Sequence, residues 1–210
     1  TVLRNGKYIG TKEIAETNSD ELISMMVGRD VGEIYPKQQY PIGETVFEVE
    51  DLTVPGWVRD ISFSVHKGEI LGIVGLVGAG RSEMMEAIFG LRKKDSGTTR
   101  IHGREVDISS PRVAVDNKIA FVTEDRKVTG LNLIGSVREN ATIVSIRNLT
   151  KARLLNRANE NKATSEYIDQ LKIKTHSRET QVGFLSGGNQ QKVAIAKWLL
   201  AEPDIIILDE

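Results

Sequence analysis

The stretch that most restricts this chain lies between residues 69 and 91. An apolar run, Glu69-Ile70-Leu71-Gly72-Ile73-Val74, passes into a glycine loop, Gly75-Leu76-Val77-Gly78-Ala79-Gly80-Arg81-Ser82, and then into Met84, Ile88 and Leu91. A near-continuous apolar run predicts a strand covered on both faces, as in a parallel sheet. The i, i+4, i+7 spacing of the three apolar residues predicts a helix from Arg81. Strand, tight turn and helix in that order predict an α/β fold with a mainly parallel sheet.

The loop follows the pattern G-x-x-x-x-G-K-[ST] at Gly75, Gly80 and Ser82, with Arg81 where the pattern has lysine. Glycines let consecutive backbone N–H groups turn inward around phosphates, and the helix that follows offers its positive end to the anion. Gly75, Gly78, Ala79, Gly80, Arg81, Ser82 and Glu83 are therefore the expected phosphate-binding positions, with the Ser82 hydroxyl directed to Mg2+. A lysine ammonium is a compact point charge, whereas the Arg81 guanidinium is larger and planar. Binding is expected to survive that exchange and in-line γ-phosphoryl chemistry to weaken.

A second apolar run, Ile205-Ile206-Ile207-Leu208, ends in Asp209 and Glu210. It predicts a buried parallel-type strand that delivers two carboxylates to its carboxyl edge, where ligands gather in open α/β sheets. In phosphate-loop enzymes the first carboxylate assists Mg2+ and its neighbour polarises the attacking water. Asp209 with Ser82 is the expected metal pair, and Glu210 the expected catalytic group.

The third stretch is Leu185-Ser186-Gly187-Gly188-Asn189-Gln190-Gln191-Lys192, followed by Val193, Ala196 and Leu199 at helical spacing. A glycine turn feeding a helix amino terminus is another anion-binding device. One domain with one phosphate loop has no use for a second such end unless it faces a nucleotide held by another copy. Ser186, Gly187, Gly188 and Gln190 are the expected contacts.

With the three motifs in this order, the sequence resembles the ATP-binding domains of ABC transporters: residues 185–192 match the signature, 75–82 the Walker A and 205–210 the Walker B motif. Residues 68–81 and Val122-Thr123-Glu124-Asp125-Arg126-Lys127 resemble, more narrowly, the second ATP-binding half of bacterial carbohydrate importers of the ribose, galactose and xylose type. Residues 1–28 resemble the carboxyl end of the first half. The chain starts at Thr1 and stops directly after the second apolar run, so it reads as a fragment of a longer polypeptide.

The resemblance implies an ATPase that couples ATP binding and hydrolysis to carbohydrate uptake, with ATP and Mg2+ as cofactors. It implies two partners, a first ATP-binding half on the same polypeptide and membrane permease subunits, and a peripheral position on the cytoplasmic face of the bacterial inner membrane. Where most relatives carry the Q-loop glutamine this chain has Glu124, a second candidate catalytic residue. Trp57 is the candidate for the aromatic that stacks on adenine. Residues 128–184, with Val137, Ala141 and Val144 in one amphipathic run and Ala163, Tyr167, Ile168 and Leu171 in another, occupy the position of the helical subdomain that meets the permease. A rival reading is a hydrolysis-poor half whose signature completes its partner's active site. Chromosome-maintenance relatives separate the motifs by long coiled coils, and the stretch from Ser82 to Ser186 has no sustained heptads. Translation-associated tandem relatives usually carry a long charged arm between halves; residues 29–46 are short and not strongly basic.

Organisation follows from punctuation. Val2-Leu3-Arg4, an Asn5-Gly6 turn pair and Lys7-Tyr8-Ile9 predict a hairpin. Ser19 or Asp20 is expected to cap a helix running to Gly28. Residues 29–46, with Pro36 and Pro41, predict a linker. From residue 47 a single ATP-binding domain is expected. It opens with antiparallel strands, because Val46-Phe47-Glu48-Val49 and Ile61-Ser62-Phe63-Ser64-Val65 alternate apolar and polar around a Pro55-Gly56 turn. The formal net charge of -1, from 28 basic and 29 acidic residues, gives no electrostatic argument for nucleic acid. His66, His102 and His176 are isolated and read as structural or solvent-facing, and Asp125, Arg126 and Lys127 as a solvated loop.

Overall fold

A computed structural model of the chain describes residues 1–4, 6–28, 40–151 and 154–209. These fall into two compact units, residues 1–41 and 42–210. In the first, β1 (Val2–Arg4) and β2 (Lys7–Gly10) pair antiparallel. Gly6 takes φ +74, as a primed turn needs, while Asn5 lies outside the described residues. Helix α1 (Ser19–Val27) is capped one residue earlier than expected, because the Asn18 side chain accepts the Glu21 N–H at 2.8 Å. Left-handed Gly28 closes it, donating to Ser24 O. Most of the expected linker, residues 29–39, lies outside the described residues.

The second unit begins with an antiparallel sheet of β3 (Thr45–Val54), β4 (Val58–His66), β5 (Ser96–Ile101) and β6 (Arg104–Glu105) in the order β4-β3-β5-β6. Phe47, Val49, Leu52 and Val54 of β3 are all buried. The odd step from Val49 to Leu52 would turn the second pair outward, so the strand carries a register shift there, with Asp51 at φ +49. Gly97 of β5, at φ +111, faces this shift; a Cβ on it would lie 2.6 Å from Leu52 Cα.

Helix α2 (Arg81–Ile88) follows the glycine loop, and Met84 and Ile88 are buried as the spacing predicts. Leu91 is not on that face. Phe89 ends the helix, left-handed Gly90 turns the chain away, and Phe89 takes the core position while Leu91 is 55% exposed. Helix α3 (Pro111–Asp116) leads into β7 (Ile119–Val122). Helix α4 (Val137–Thr142), the small hairpin of β8 (Thr150–Lys151) and β9 (Leu154–Leu155), and α5 (Arg157–Gln170) come next. Helix α6 (Gly187–Leu199) then returns the chain to β10 (Ile205–Leu208), which pairs parallel with β7. Phe89 packs on Phe121 at 5.4 Å and edge-on against Trp198 at 5.6 Å, tying α2, β7 and α6 into one core. A second apolar cluster joins Val137 of α4, Ile173 and Val182 to Val193, Ala194 and Ala196 of α6.

Two expectations change here. Residues 69–74 form no ladder: Ile70 is 98% and Val74 92% exposed. Among the described residues the parallel pairing of the sheet is confined to β7 and β10, and in β10 Ile206 and Leu208 are open while Ile205 and Ile207 are buried. A cavity of about 940 Å3 lies between residues 69–74 and β10, lined by Ile70, Leu71 and Ile73 on one side and Ile206 and Leu208 on the other. An apolar run states a preference for burial, but a buried strand also needs backbone partners along its edges. In α5 the deepest residues are Glu160 and Thr164, with Tyr167, Ile168 and Leu171 only partly buried. Buried Arg138 of α4 explains the exchange: its Nη1 meets Glu160 at 2.9 Å and its Nε meets Glu179 at 2.8 Å, so a charged network takes the place of an apolar seam. The two carboxylates hold the Arg138 guanidinium firmly charged, and Glu179 in turn is held below the usual carboxylate range, chiefly by its hydrogen bonds from Arg138.

Candidate nucleotide site

The glycine loop is open to solvent from Val74 to Ala79 and closes at buried Gly80, which caps α2 with φ +80. A side chain there would be strained twice, since a Cβ would lie 3.1 Å from Trp57 O and 3.0 Å from Val58 Cγ1. The β3–β4 turn that carries Trp57 is thus packed directly on the loop. Arg81 folds back along the loop, its Cδ 3.5 Å from where a Gly75 Cβ would stand. Ser82 and Glu83 occupy the first turn of α2, whose positive end faces the loop.

Ser82 Oγ donates to Asp209 Oδ1 at 3.2 Å, which joins the first turn of α2 to the carboxyl end of β10. The Asp209 N–H continues the parallel ladder onto Val122 O at 2.9 Å. A hydroxyl and a carboxylate, both hard oxygen donors, suit Mg2+ completed by phosphate oxygens and water. Among the described residues no group of three or more His, Cys, Asp or Glu would hold a metal unaided. Glu124 follows β7 by two residues and so sits at the same sheet edge as Asp209, exposed and lining a cavity of about 290 Å3 with Asp125, Arg126 and Lys127. Glu210 lies outside the described residues.

The signature turn stands apart. Ser186, Gly187 and Gly188 are exposed at the start of α6, and Ser186 Oγ accepts from Asn189 Nδ2 at 2.9 Å. Gln190 lies on the inner side of this turn: it is 5% exposed, and its amide donates to Val182 O at 3.2 Å and Leu185 O at 3.1 Å, which shapes the turn.

Arg126 is the residue that sequence reading missed here, taking it as part of a solvated loop. Asp125 caps a single π-helical turn (Arg126–Gly130) by accepting from Lys127 and Val128. The Arg126 guanidinium then lies against the signature, where a Cβ on Gly187 would come within 2.9 Å of Nη2. Its Nε is buried with no hydrogen-bond partner. The other end of the turn is fixed by buried Lys197 of α6, which donates to Gly130 O at 2.6 Å; burial pushes the Lys197 ammonium down to about 8. Neither residue carries a local signal, because both act across long sequence separations. His66 is not isolated either, its Nδ1 standing 3.0 Å from Glu69 Oε2. The Glu69 carboxyl is held low, first by the His66 backbone N–H and then by its ring.

A glycine loop ahead of a helix, a serine in its first turn and an aspartate delivered beside it by a parallel strand define an α/β protein of the P-loop NTPase class. The same fold is seen in ATP-binding cassettes. A post-hydrolysis dimer of the cassette MJ0796 with ADP and Pi is similar with a TM-score of 0.66 at 23% identity, covering 78% of this chain and 73% of that one. The cassette cbiO1 of Clostridium perfringens is similar with a TM-score of 0.63 at 23% identity, covering 80% and 66%.

The chain belongs to the ABC transporter family, whose model matches residues 58–210. It is 49% identical over 210 residues to the ribose import ATP-binding protein RbsA of Bacillus cereus, covering 100% of this chain and 42% of that protein. To the galactose/methyl galactoside import ATP-binding protein MglA 1 of Photobacterium profundum it is 45% identical over 213 residues, covering 100% and 43%. The chain therefore spans about two-fifths of the length of these curated relatives. Among the described residues no helix is long and apolar enough to cross a membrane.

Proposed function

We propose that this chain is the second ATP-binding half of an importer ATPase of the ribose and galactose type, one that couples ATP binding and hydrolysis to carbohydrate uptake. The observation that carries the reading is the Ser82–Asp209 hydrogen bond, because it brings two separate motifs to one point at the mouth of the glycine loop. In this reading the backbone N–H groups of Gly78, Ala79, Gly80, Arg81 and Ser82 hold the β- and γ-phosphates. Ser82 and Asp209 would hold Mg2+, which would supply charge neutralisation at the phosphate oxygens. Trp57 offers its ring to adenine, Glu210 orients the attacking water, and Glu124 tunes the same edge.

The exposed turn at Ser186, Gly187 and Gly188 is assigned to a different nucleotide, held by a first half on the same polypeptide. Residues 128–184 are assigned as the helical subdomain that meets a membrane permease, with the whole peripheral to the cytoplasmic face of the bacterial inner membrane. Residues 1–28 are assigned to the end of the preceding half, and residues 29–46 to the tether.

With arginine at position 81 the local site is expected to bind ATP and to hydrolyse it slowly. Nucleotide titration beside a hydrolysis assay on the purified 210-residue chain tests this. Binding with turnover well below ~1 s−1, the low end of ordinary enzyme rates, is the expected result. Steady turnover at or above that rate overturns it. Co-purification of the full polypeptide with a membrane permease tests the transport assignment.

A further inference from the structure

Trp57 is held on one face of its ring. The Arg92 guanidinium carbon lies 5.6 Å from the centroid of the Trp57 ring, within the range of a cation–π contact. Arg92 is itself aimed by Glu86 of α2: Nε and Nη2 both donate to Glu86 Oε2, at 2.9 and 2.6 Å. Glu86 sits on the helix that grows out of the glycine loop, one turn beyond Ser82. The backbone of Trp57 is meanwhile packed on Gly80 of that same loop. Trp57 is 46% exposed and so stays accessible to a ligand with Arg92 in place.

We propose that Arg92 is a positioning residue for base recognition. Aimed by Glu86, it backs the Trp57 ring and fixes it at a set distance from the phosphate-binding loop. Trp57 is thereby a prepared platform for a purine, and α2 reads both ends of the nucleotide, phosphate at its first turn and base through the Glu86–Arg92–Trp57 stack. A side chain with two free χ angles would otherwise lose rotamer freedom on binding, and preorganisation removes that cost. The proposal rests on the reading of Trp57 as the adenine platform.

The test uses the full polypeptide that carries this chain. The fluorescence of Trp57 is isolated as the difference between the unsubstituted protein and Trp57→Phe, and MgATP is titrated against that signal. Tripolyphosphate, which has no base, is then used to displace ATP, and its inhibition constant at the same site is extracted. In Arg92→Met, ATP affinity is expected to fall about threefold to tenfold, the effect of one cation–π contact plus a loosened ring. The tripolyphosphate constant is expected to stay within about twofold, which also shows that the loop is folded. Acrylamide quenching of Trp57 without nucleotide is expected to rise, and Glu86→Gln to follow Arg92→Met part of the way. A Trp57 signal that responds to ATP with unchanged affinity in Arg92→Met overturns the role of Arg92 alone. Equal loss of ATP and tripolyphosphate binding overturns it too, since that marks a general disturbance of the loop. A Trp57 signal blind to ATP in the unsubstituted protein overturns the adenine reading and the proposal with it.

Discussion

Ser82 Oγ lies 3.2 Å from Asp209 Oδ1, a hydrogen bond between residues 127 positions apart in the chain. If the pair holds Mg2+, Asp209→Asn removes a charge but keeps the shape. Calorimetry should then show MgATP affinity falling at least about tenfold, while ATP in excess chelator binds as before, as expected for the loss of one charged hard ligand. Equal losses with and without Mg2+ would mean that Asp209 supports the loop and not the metal.

Gly80 tests how tightly the loop is tied to the Trp57 turn. Gly80→Ala places a side chain at φ +80 and drives a Cβ against Trp57 O. Left-handed backbone alone costs about 1–2 kcal/mol in a non-glycine residue, and the clash adds to it. Urea unfolding should show at least that loss. Gly72→Ala, where a Cβ meets open space, should be nearly neutral.

Arg138 stands between a fully buried carboxylate and an exposed one. Arg138→Met leaves buried Glu160 with only the exposed Arg157, 3.4 Å from its Oε2, as a charged partner, and losing the buried partner by precedent costs up to about 3–5 kcal/mol. Glu179→Gln should cost far less, since its side chain is 56% exposed. Adding Glu160→Gln to Arg138→Met should recover part of the loss, and denaturant midpoints of the four proteins separate these outcomes.

Lys197 makes stability depend on alkaline pH. Its folded-state value, about 8, lies below its ordinary 10.5, so between those values the unfolded chain binds a proton that the folded chain has released. Stability from this group therefore rises as pH climbs from about 8 towards 10.5, and the burial penalty is fully felt below 8. The stability of the unsubstituted protein relative to Lys197→Met should increase across that window by roughly 3 kcal/mol, following 1.36 kcal/mol per pKa unit. A pH-independent difference would show that the ammonium is solvated.

The assignment of the two phosphate devices to different nucleotides predicts unequal losses. In the full polypeptide, Ser186→Arg should abolish transport-linked hydrolysis, while Arg81→Ala should have a milder effect. Arg81→Lys should raise hydrolysis at the local site, because a compact ammonium fits between phosphate oxygens where a guanidinium does not. Single-turnover measurements with radiolabelled ATP read all three, and equal losses in Ser186→Arg and Arg81→Ala would refute the assignment.

Much of the fold was written locally. Alternation in β3 and β4 announced an antiparallel pair, and the apolar run 205–208 marked β10. The glycine loop with its following helix was legible because phosphate-binding backbone needs glycines at fixed offsets. Helix periodicity placed Met84 and Ile88 inside but overran at Leu91, where a single left-handed glycine redirected the chain.

The class of protein is legible in the chain alone, since each of the three motifs is a short stretch whose chemistry depends on neighbours a few positions away. Which residues meet is a matter of packing between distant elements. That packing set Asp209 against Ser82, Arg92 against Trp57 and Arg126 against Gly187, and it turned Gln190 inward. Among the described residues, 69–74 have no ladder partner. Spacing records the period of a helix or strand, whereas these contacts depend on how distant elements pack, and an apolar run becomes a buried strand only where other backbone lies along its edges.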